Sequence, residues 1–273
     1  RELCNDIPSP YYPKRFKRLI APIFKKDNAM VVAISPRLEC MAKNHGVKNI
    51  WQRPNPVNEK AFFTRANNIK KRLRTEFSKF ENNDIVMTSV ANFSQRKNQI
   101  FLLKLLRKLP DEYKLLLAGV IQNDNEGGRT GRNILSSNDY VKKIKNYIEN
   151  YNLHDRVQLV TEFIDNPGEY MSLSDIYLFP SKHEGLGTPI LEAQACGIPI
   201  VANDLPGITD YWIKDGVGGY SVSLNSDLWV EKIKAVTEIK KNVLINNSNF
   251  ILSKASSRII DQEYFEIFNK LII

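Results

Sequence analysis

Two glutamates, Glu184 and Glu192, stand eight positions apart in the stretch FPSKHEGLGTPILEAQACG, residues 179–197. A carboxylate has two acceptor oxygens and can take both protons of a vicinal diol. The residues between them suit an anion instead. Gly185, Leu186 and Gly187 let a ligand come close to the backbone, and Thr188-Pro189 reads as the N-cap and first turn of a helix. The unpaired N–H groups and the dipole of that turn make a seat for phosphate. Glu192 falls one turn into the helix, on the face of Thr188. Two carboxylates beside an anion seat repel a bare phosphate, so their partners are neutral hydroxyls. A diphosphate flanked by polyols, as in a nucleotide sugar, meets both demands.

Arg96-Lys97 is the second candidate pair, between a strand ending near Val90 and a helix opening at Asn98. In open α/β sheets ligands bind outside the carboxyl ends of the strands, where two cations are placed to meet a diphosphate. By contrast, Gly127 to Arg132 (GGRTGR) lacks the Walker lysine pattern and lies far past its strand, and reads as a surface loop. His45, His154 and His183 show no metal-ligand spacing.

The elements that must position these residues alternate. Apolar runs predict strands at 85–90, 114–118, 156–160, 175–179, 198–202 and 219–222. Between and after them the pattern predicts helices at 97–109, 138–151, 168–173, 189–196, 206–213 and 226–240. This is an α/β chain with a Rossmann-like parallel sheet flanked by helices. Upstream, Met30 to Ser35 reads as a strand, followed by a short helix through Cys40, a return at 49–51 and a turn-rich linker at 53–58. Residues 59–82 are polar and show no catalytic pattern.

The 273 residues suffice for one large or two small domains. A net charge of +9 favours acidic partners, but no nucleic-acid recognition motif accompanies it. Three cysteines without paired spacing point to reduced thiols and a cytoplasmic location. Lys14 to Lys26 is a basic amphipathic stretch that can lie at the inner face of an anionic membrane, against the alternative of a helix packed on another domain.

The segment SKHEGLGTPILEAQACGIPIVANDLPGITDYWIKDGVGGYSV, residues 181–222, resembles the donor site of retaining family-4 glycosyltransferases of GT-B fold. The resemblance implies that the chain is the C-terminal half of such an enzyme. Residues 1–56 would be the end of the N-terminal acceptor domain and the linker, and residues 57–273 the nucleotide-sugar-binding domain with a final crossover helix at 258–272. It implies that Glu184 contacts the transferred sugar and Glu192 the ribose, with Gly185, Leu186, Gly187 and Thr188 meeting phosphates and sugar. Lys97 matches the family's diphosphate lysine. The position of the family arginine falls on Ala91, which leaves Arg96 as the candidate to replace it. Phe163 and Ile164 fall where relatives bind the base. Catalytic roles go to Glu184 and Lys97, with no metal or other cofactor, a glycan or lipid-linked acceptor, and no turnover by this fragment alone. The rivals are a non-catalytic nucleotide-sugar-binding module and a nucleotide-sugar epimerase of the same fold. A dinucleotide-binding fingerprint fails because Ile190 stands where its third glycine belongs.

Overall fold

The computed structural model describes Lys26, residues 29–122 and residues 135–272, the last three of these as backbone. The basic stretch 14–26, Lys26 apart, and the GGRTGR loop lie outside the described residues.

A small parallel pair comes first. β1 (Val31–Ala33) and β2 (Ile50–Gln52) run side by side with α1 (Pro36–Asn44) as their crossover. Ser35 starts that helix by accepting the Leu38 N–H at 3.3 Å, as its Ser-Pro sequence predicts.

The main sheet has six parallel strands: β3 (Ile85–Val90), β4 (Tyr113–Ala118), β5 (Val157–Val160), β6 (Ile176–Phe179), β7 (Ile200–Asn203) and β8 (Gly219–Val222). Their spatial order is β5-β4-β3-β6-β7-β8. The chain therefore reverses its direction of travel across the sheet between β3 and β6, which are neighbours. That is the topological switch point at which open α/β sheets place ligands.

Both faces of the sheet are covered, which is why the strands read as continuous apolar runs. Ile176 and Leu178 of β6 join a cluster with α3 (Gln99–Leu106), α4 (Ser137–Asn150) and α8 (Ser226–Val236). Tyr177 and Phe179, pointing the other way, join α5 (Pro167–Ser172), α6 (Thr188–Ala195), α7 (Thr209–Trp212) and α9 (Lys241–Ala255).

The strands expected from the sequence are all present, with shifts of one or two residues. Two helices were not expected: α2 (Asn67–Phe77) and α9. In α2 the buried residues are Leu73 and Arg74, so one of the two positions that signal its inner face is charged. In α9 the inner face carries Asn247 and Ser248, which bond to the Gln194 side chain at 2.8 Å and the Ala195 carbonyl at 2.6 Å. Polar residues satisfied in the core blunt the hydrophobic period.

After α9 the chain breaks at Ser256 and continues as α10 (Ser257–Ile272). Glu59 fixes the break by accepting the Ser257 N–H at 2.9 Å and the Arg258 N–H at 3.4 Å. α10 then reaches back to the first pair of strands. Tyr264 packs edge-on against Trp51 at 4.8 Å, and Glu263 pairs with Arg53. No helix among the described residues is long and apolar enough to cross a membrane.

Candidate donor site

The loops after β3 and β6 are sewn together at the switch point. Lys182 N–H donates to the Arg96 carbonyl at 2.9 Å, and the Asn98 amide donates to the Pro180 carbonyl at 3.3 Å. Asn98 stands in the left-handed region with φ 59°, which turns the chain from the β3 loop into α3. These contacts bring Arg96 and Lys97 to Glu184, which is 87 residues beyond Lys97 in sequence.

Lys97 Nζ lies 2.7 Å from one oxygen of Glu184 and Arg96 Nη1 lies 3.1 Å from the other. Lys97 is 12% exposed and Glu184 9%, whereas Arg96 is 51% exposed and also donates to the His183 carbonyl at 3.0 Å. The Lys97 ammonium sits 5.6 Å from the centre of the Phe179 ring, which closes one side of the site. His183 itself points to solvent and contributes its backbone.

The glycine turn is held from two sides. Ser35 donates its hydroxyl to the Gly185 carbonyl at 2.7 Å, so the residue that caps α1 also fixes this loop. Gly187 has φ 74° and caps α6 through its backbone, accepting the Ile190 N–H at 2.8 Å. Thr188, expected as the N-cap, is instead the first helical residue and makes no capping bond. The reason is steric. A Cβ at position 187 would stand 2.9 Å from Ile190 Cδ1, and glycine alone takes that left-handed geometry at little cost. Leaving the first turn without a side-chain cap keeps its N–H groups available to a ligand.

Glu192 lies one turn into α6, half-buried, with no hydrogen bond or ion pair to its carboxylate among the described residues. Burial pushes its pKa from 4.5 up to about 7. Beneath it Tyr177 is fully buried and donates to the Val90 carbonyl at 3.0 Å. Burial, and then the nearby Glu192, push the Tyr177 pKa up, so its hydroxyl stays protonated.

Phe163 and Ile164 are in the loop after β5, two strands from the switch, with Phe163 77% exposed and Ile164 half-buried. They border the carboxyl end of the sheet without a described contact to Glu184 or Lys97. The structure thus brings together Arg96, Lys97, Glu184, Gly185, Leu186, Gly187, Thr188 and Glu192. It adds Ser35, Asn98, Tyr177 and Phe179, which sequence reasoning passed over. Of these, Asn98 between a basic pair and an apolar helix carried the one readable signal, since asparagine is enriched at left-handed positions.

Residues 71–249, more than half of the chain, match the family described as glycosyl transferases group 1. The chain belongs to that family. It is 27% identical over 183 residues to the capsular polysaccharide biosynthesis glycosyltransferase CapH of Staphylococcus aureus, covering 65% of this chain and 46% of CapH. It is 28% identical over 139 residues to the O-antigen biosynthesis glycosyltransferase WclY of Escherichia coli, covering 51% and 34%. Among solved structures, Anabaena HepE in complex with UDP superposes with a TM-score of 0.80 at 20% identity, over 97% of this chain and 70% of HepE. The chain thus spans about half or less of the length of these two curated relatives, and it has the fold of GT-B glycosyltransferases.

Proposed function

We propose that this chain is the donor-binding half of a retaining glycosyltransferase that moves a hexosyl group from a nucleoside-diphosphate sugar to a glycan or lipid-linked acceptor. The observation that carries the reading is the convergence of Lys97, Arg96 and Glu184 at the switch point, with a second, unpaired carboxylate, Glu192, on the helix that follows. HepE was solved with UDP, which makes UDP the first nucleotide to test. CapH is named for capsular polysaccharide biosynthesis and WclY for O-antigen biosynthesis, which favours a glycan acceptor of that kind.

The chemistry follows from where the charges sit. Glu184 pairs with both cations and offsets one of their two charges. A diphosphate at the N-terminus of α6 takes over Lys97 and Arg96 as its partners and frees Glu184 to accept the hydroxyls of the transferred sugar. As the glycosidic bond breaks, negative charge grows on the leaving diphosphate. The two cations and the first-turn N–H groups are already aimed there, so they stabilise the transition state without rearranging. Glu192 accepts the ribose hydroxyls, and Phe163 with Ile164 borders the base. No metal is needed for that charge balance. The acceptor side belongs to the part of the relatives that this chain does not cover, so donor binding with little turnover is expected of these 273 residues.

Calorimetric titration with UDP, GDP, ADP and their hexose conjugates tests the reading. Saturable binding of one nucleotide, weakened by both Glu192→Ala and Lys97→Ala, is the expected result. Binding that neither substitution weakens would place the nucleotide elsewhere and overturn the assignment.

A further inference from the structure

A cavity of about 340 Å³ opens at the amino pole of the main sheet, beside Ile85 of β3 and Asp175 at the start of β6, away from Lys97 and Glu184. Its lining combines Arg65, Lys70 and Lys241 with an apolar floor that includes Ile198 and Leu244. Among the described lining residues Asp175 is the single carboxylate, and it is already engaged. Lys70 lies 2.7 Å from one of its oxygens, and Arg74 and the Val86 N–H lie 2.8 and 2.7 Å from the other.

The remaining positive charge has no counter-ion among the described residues. Arg65 donates to the carbonyls of Gly168 and Ala61 and to the Ser172 hydroxyl, all neutral. Lys241 donates to the side-chain oxygen of Asn67 at 3.1 Å, also neutral. The strain registers on Lys70, whose pKa is lowered by burial, an effect that Asp175 opposes and the like charges of Arg74 and Lys241 reinforce.

Helix polarity adds to the imbalance. α2 and α9 both begin at this cavity, and neither has a side-chain cap or an acid in its first turn. Lys241 is the first residue of α9, where a cation meets the positive end of the helix dipole. Several local rules broken at one place, with no compensating partner among the described residues, mark a site that waits for an anion. The volume lies at the low end of the roughly 300–1,000 Å³ usual for small-ligand pockets, which suits a monosaccharide phosphate better than a whole nucleotide sugar.

We propose that this cavity binds a phosphate monoester, with the dianionic head between Lys70 and Lys241 and the organic part on the apolar floor. The site is separate from the donor site and does not depend on that assignment. The test is calorimetric titration of the chain with glucose 6-phosphate, and in parallel with inorganic phosphate, on the wild type and on Lys97→Ala, Lys241→Glu and Lys70→Gln. Lys241 is exposed, so its variant keeps the fold, and a circular-dichroism melt checks Lys70→Gln. Glucose 6-phosphate is expected to bind the wild type and Lys97→Ala alike, at least tenfold more weakly to Lys241→Glu and to folded Lys70→Gln, and more weakly as salt is raised. Absence of binding, a loss below tenfold in Lys241→Glu, or loss in Lys97→Ala would overturn the proposal. Inorganic phosphate binding as tightly as the sugar phosphate would overturn the monoester assignment in favour of free phosphate. A chain that fails to bind UDP leaves each of these outcomes readable.

Discussion

Strands β3 and β6 lie side by side and carry an ion pair at each end, and the two pairs are built on opposite principles, the amino-end pair being closed on itself although the cavity beside it is not. At the amino end Arg74 is 4% exposed and spends its N–H groups on the carbonyls of Leu173, Asn82 and Asp84 and on Asp175. Asp175 in turn receives Lys70, Arg74 and the Val86 N–H. The Arg74–Asp175 pair is saturated. At the carboxyl end Lys97 and Arg96 share one carboxylate, Arg96 is half in water, and Glu192 has no described partner. A buried polar network that is fully satisfied specifies the fold, whereas one left unsatisfied is costly and has to be matched by something else, here a ligand. Parallel strands make the division possible, because they gather all amino ends on one side and all carboxyl ends on the other.

The sharpest break of this contrast is Arg74→Met. It removes a buried guanidinium and leaves the carbonyls of Leu173, Asn82 and Asp84 and half-buried Asp175 short of a donor, and the expected loss of stability is about 3–5 kcal/mol in urea denaturation. UDP affinity of the folded protein should not change. A stability loss below about 1 kcal/mol would show that the amino end is no structural keystone. Lys97→Met should do the reverse. UDP affinity falls roughly 30-fold, about 2 kcal/mol, because a charge-assisted contact to the diphosphate is lost. Stability falls by about 1–3 kcal/mol, less than in Arg74→Met, since Arg96 still faces the buried Glu184.

The same contrast explains what the sequence disclosed. Glu184, Glu192 and the glycine turn were legible because a strand, a turn and a helix start are local patterns, and Lys97 because it sits between the end of a strand and the start of a helix. The parallel sheet was legible from the alternation of strands with helices, whereas the order of its strands was not. Arg74 was not legible: a charged residue in a polar stretch gives no sign that the Leu173 carbonyl, 99 residues away, and carbonyls of the loop before β3 converge on it. Asn247 and Ser248 hid α9 in the same way, by being polar and buried together. Ser35 is a third case. Read as the end of a strand, it instead caps α1, and its bond to the Gly185 carbonyl depends on a chain crossing 150 residues away in sequence.

Glu192→Gln separates the two ends by sign. The pKa of this group is raised from 4.5 to about 7 in the fold, so between those values the native state holds more protons than the unfolded chain. Stability from this group therefore falls as pH rises through that window. Replacing the carboxyl with an amide should stabilise the protein at pH 8 by on the order of 2 kcal/mol, allowing for solvent screening, and by nothing at pH 4. UDP affinity should fall about tenfold, about 1.4 kcal/mol, because one of the two acceptors for the ribose diol is lost. Wild-type affinity should rise between pH 6 and pH 8 as the carboxylate forms, and the variant should be flat. A destabilised variant at pH 8 would mean that Glu192 has a structural partner after all.

The smallest expected effect is also the cleanest comparison, because α6 runs from one end of the sheet to the other with a left-handed glycine at each terminus. Gly187 has φ 74° and Gly197 has φ 71°. Alanine at either position pays the same backbone penalty, about 1 kcal/mol. The added methyl meets Ile190 Cδ1 at 2.9 Å in one case and Thr64 Oγ1 at 3.0 Å in the other, both ends of side chains that can shift. Thermal melts should therefore show similar losses for Gly187→Ala and Gly197→Ala. Only Gly187→Ala moves the amides that meet the phosphates, so it alone should weaken UDP binding, by roughly threefold, about 0.7 kcal/mol. Equal effects of the two on UDP affinity would mean that α6 acts as a rigid whole, and that the division of labour lies between side chains and not between the ends of the sheet.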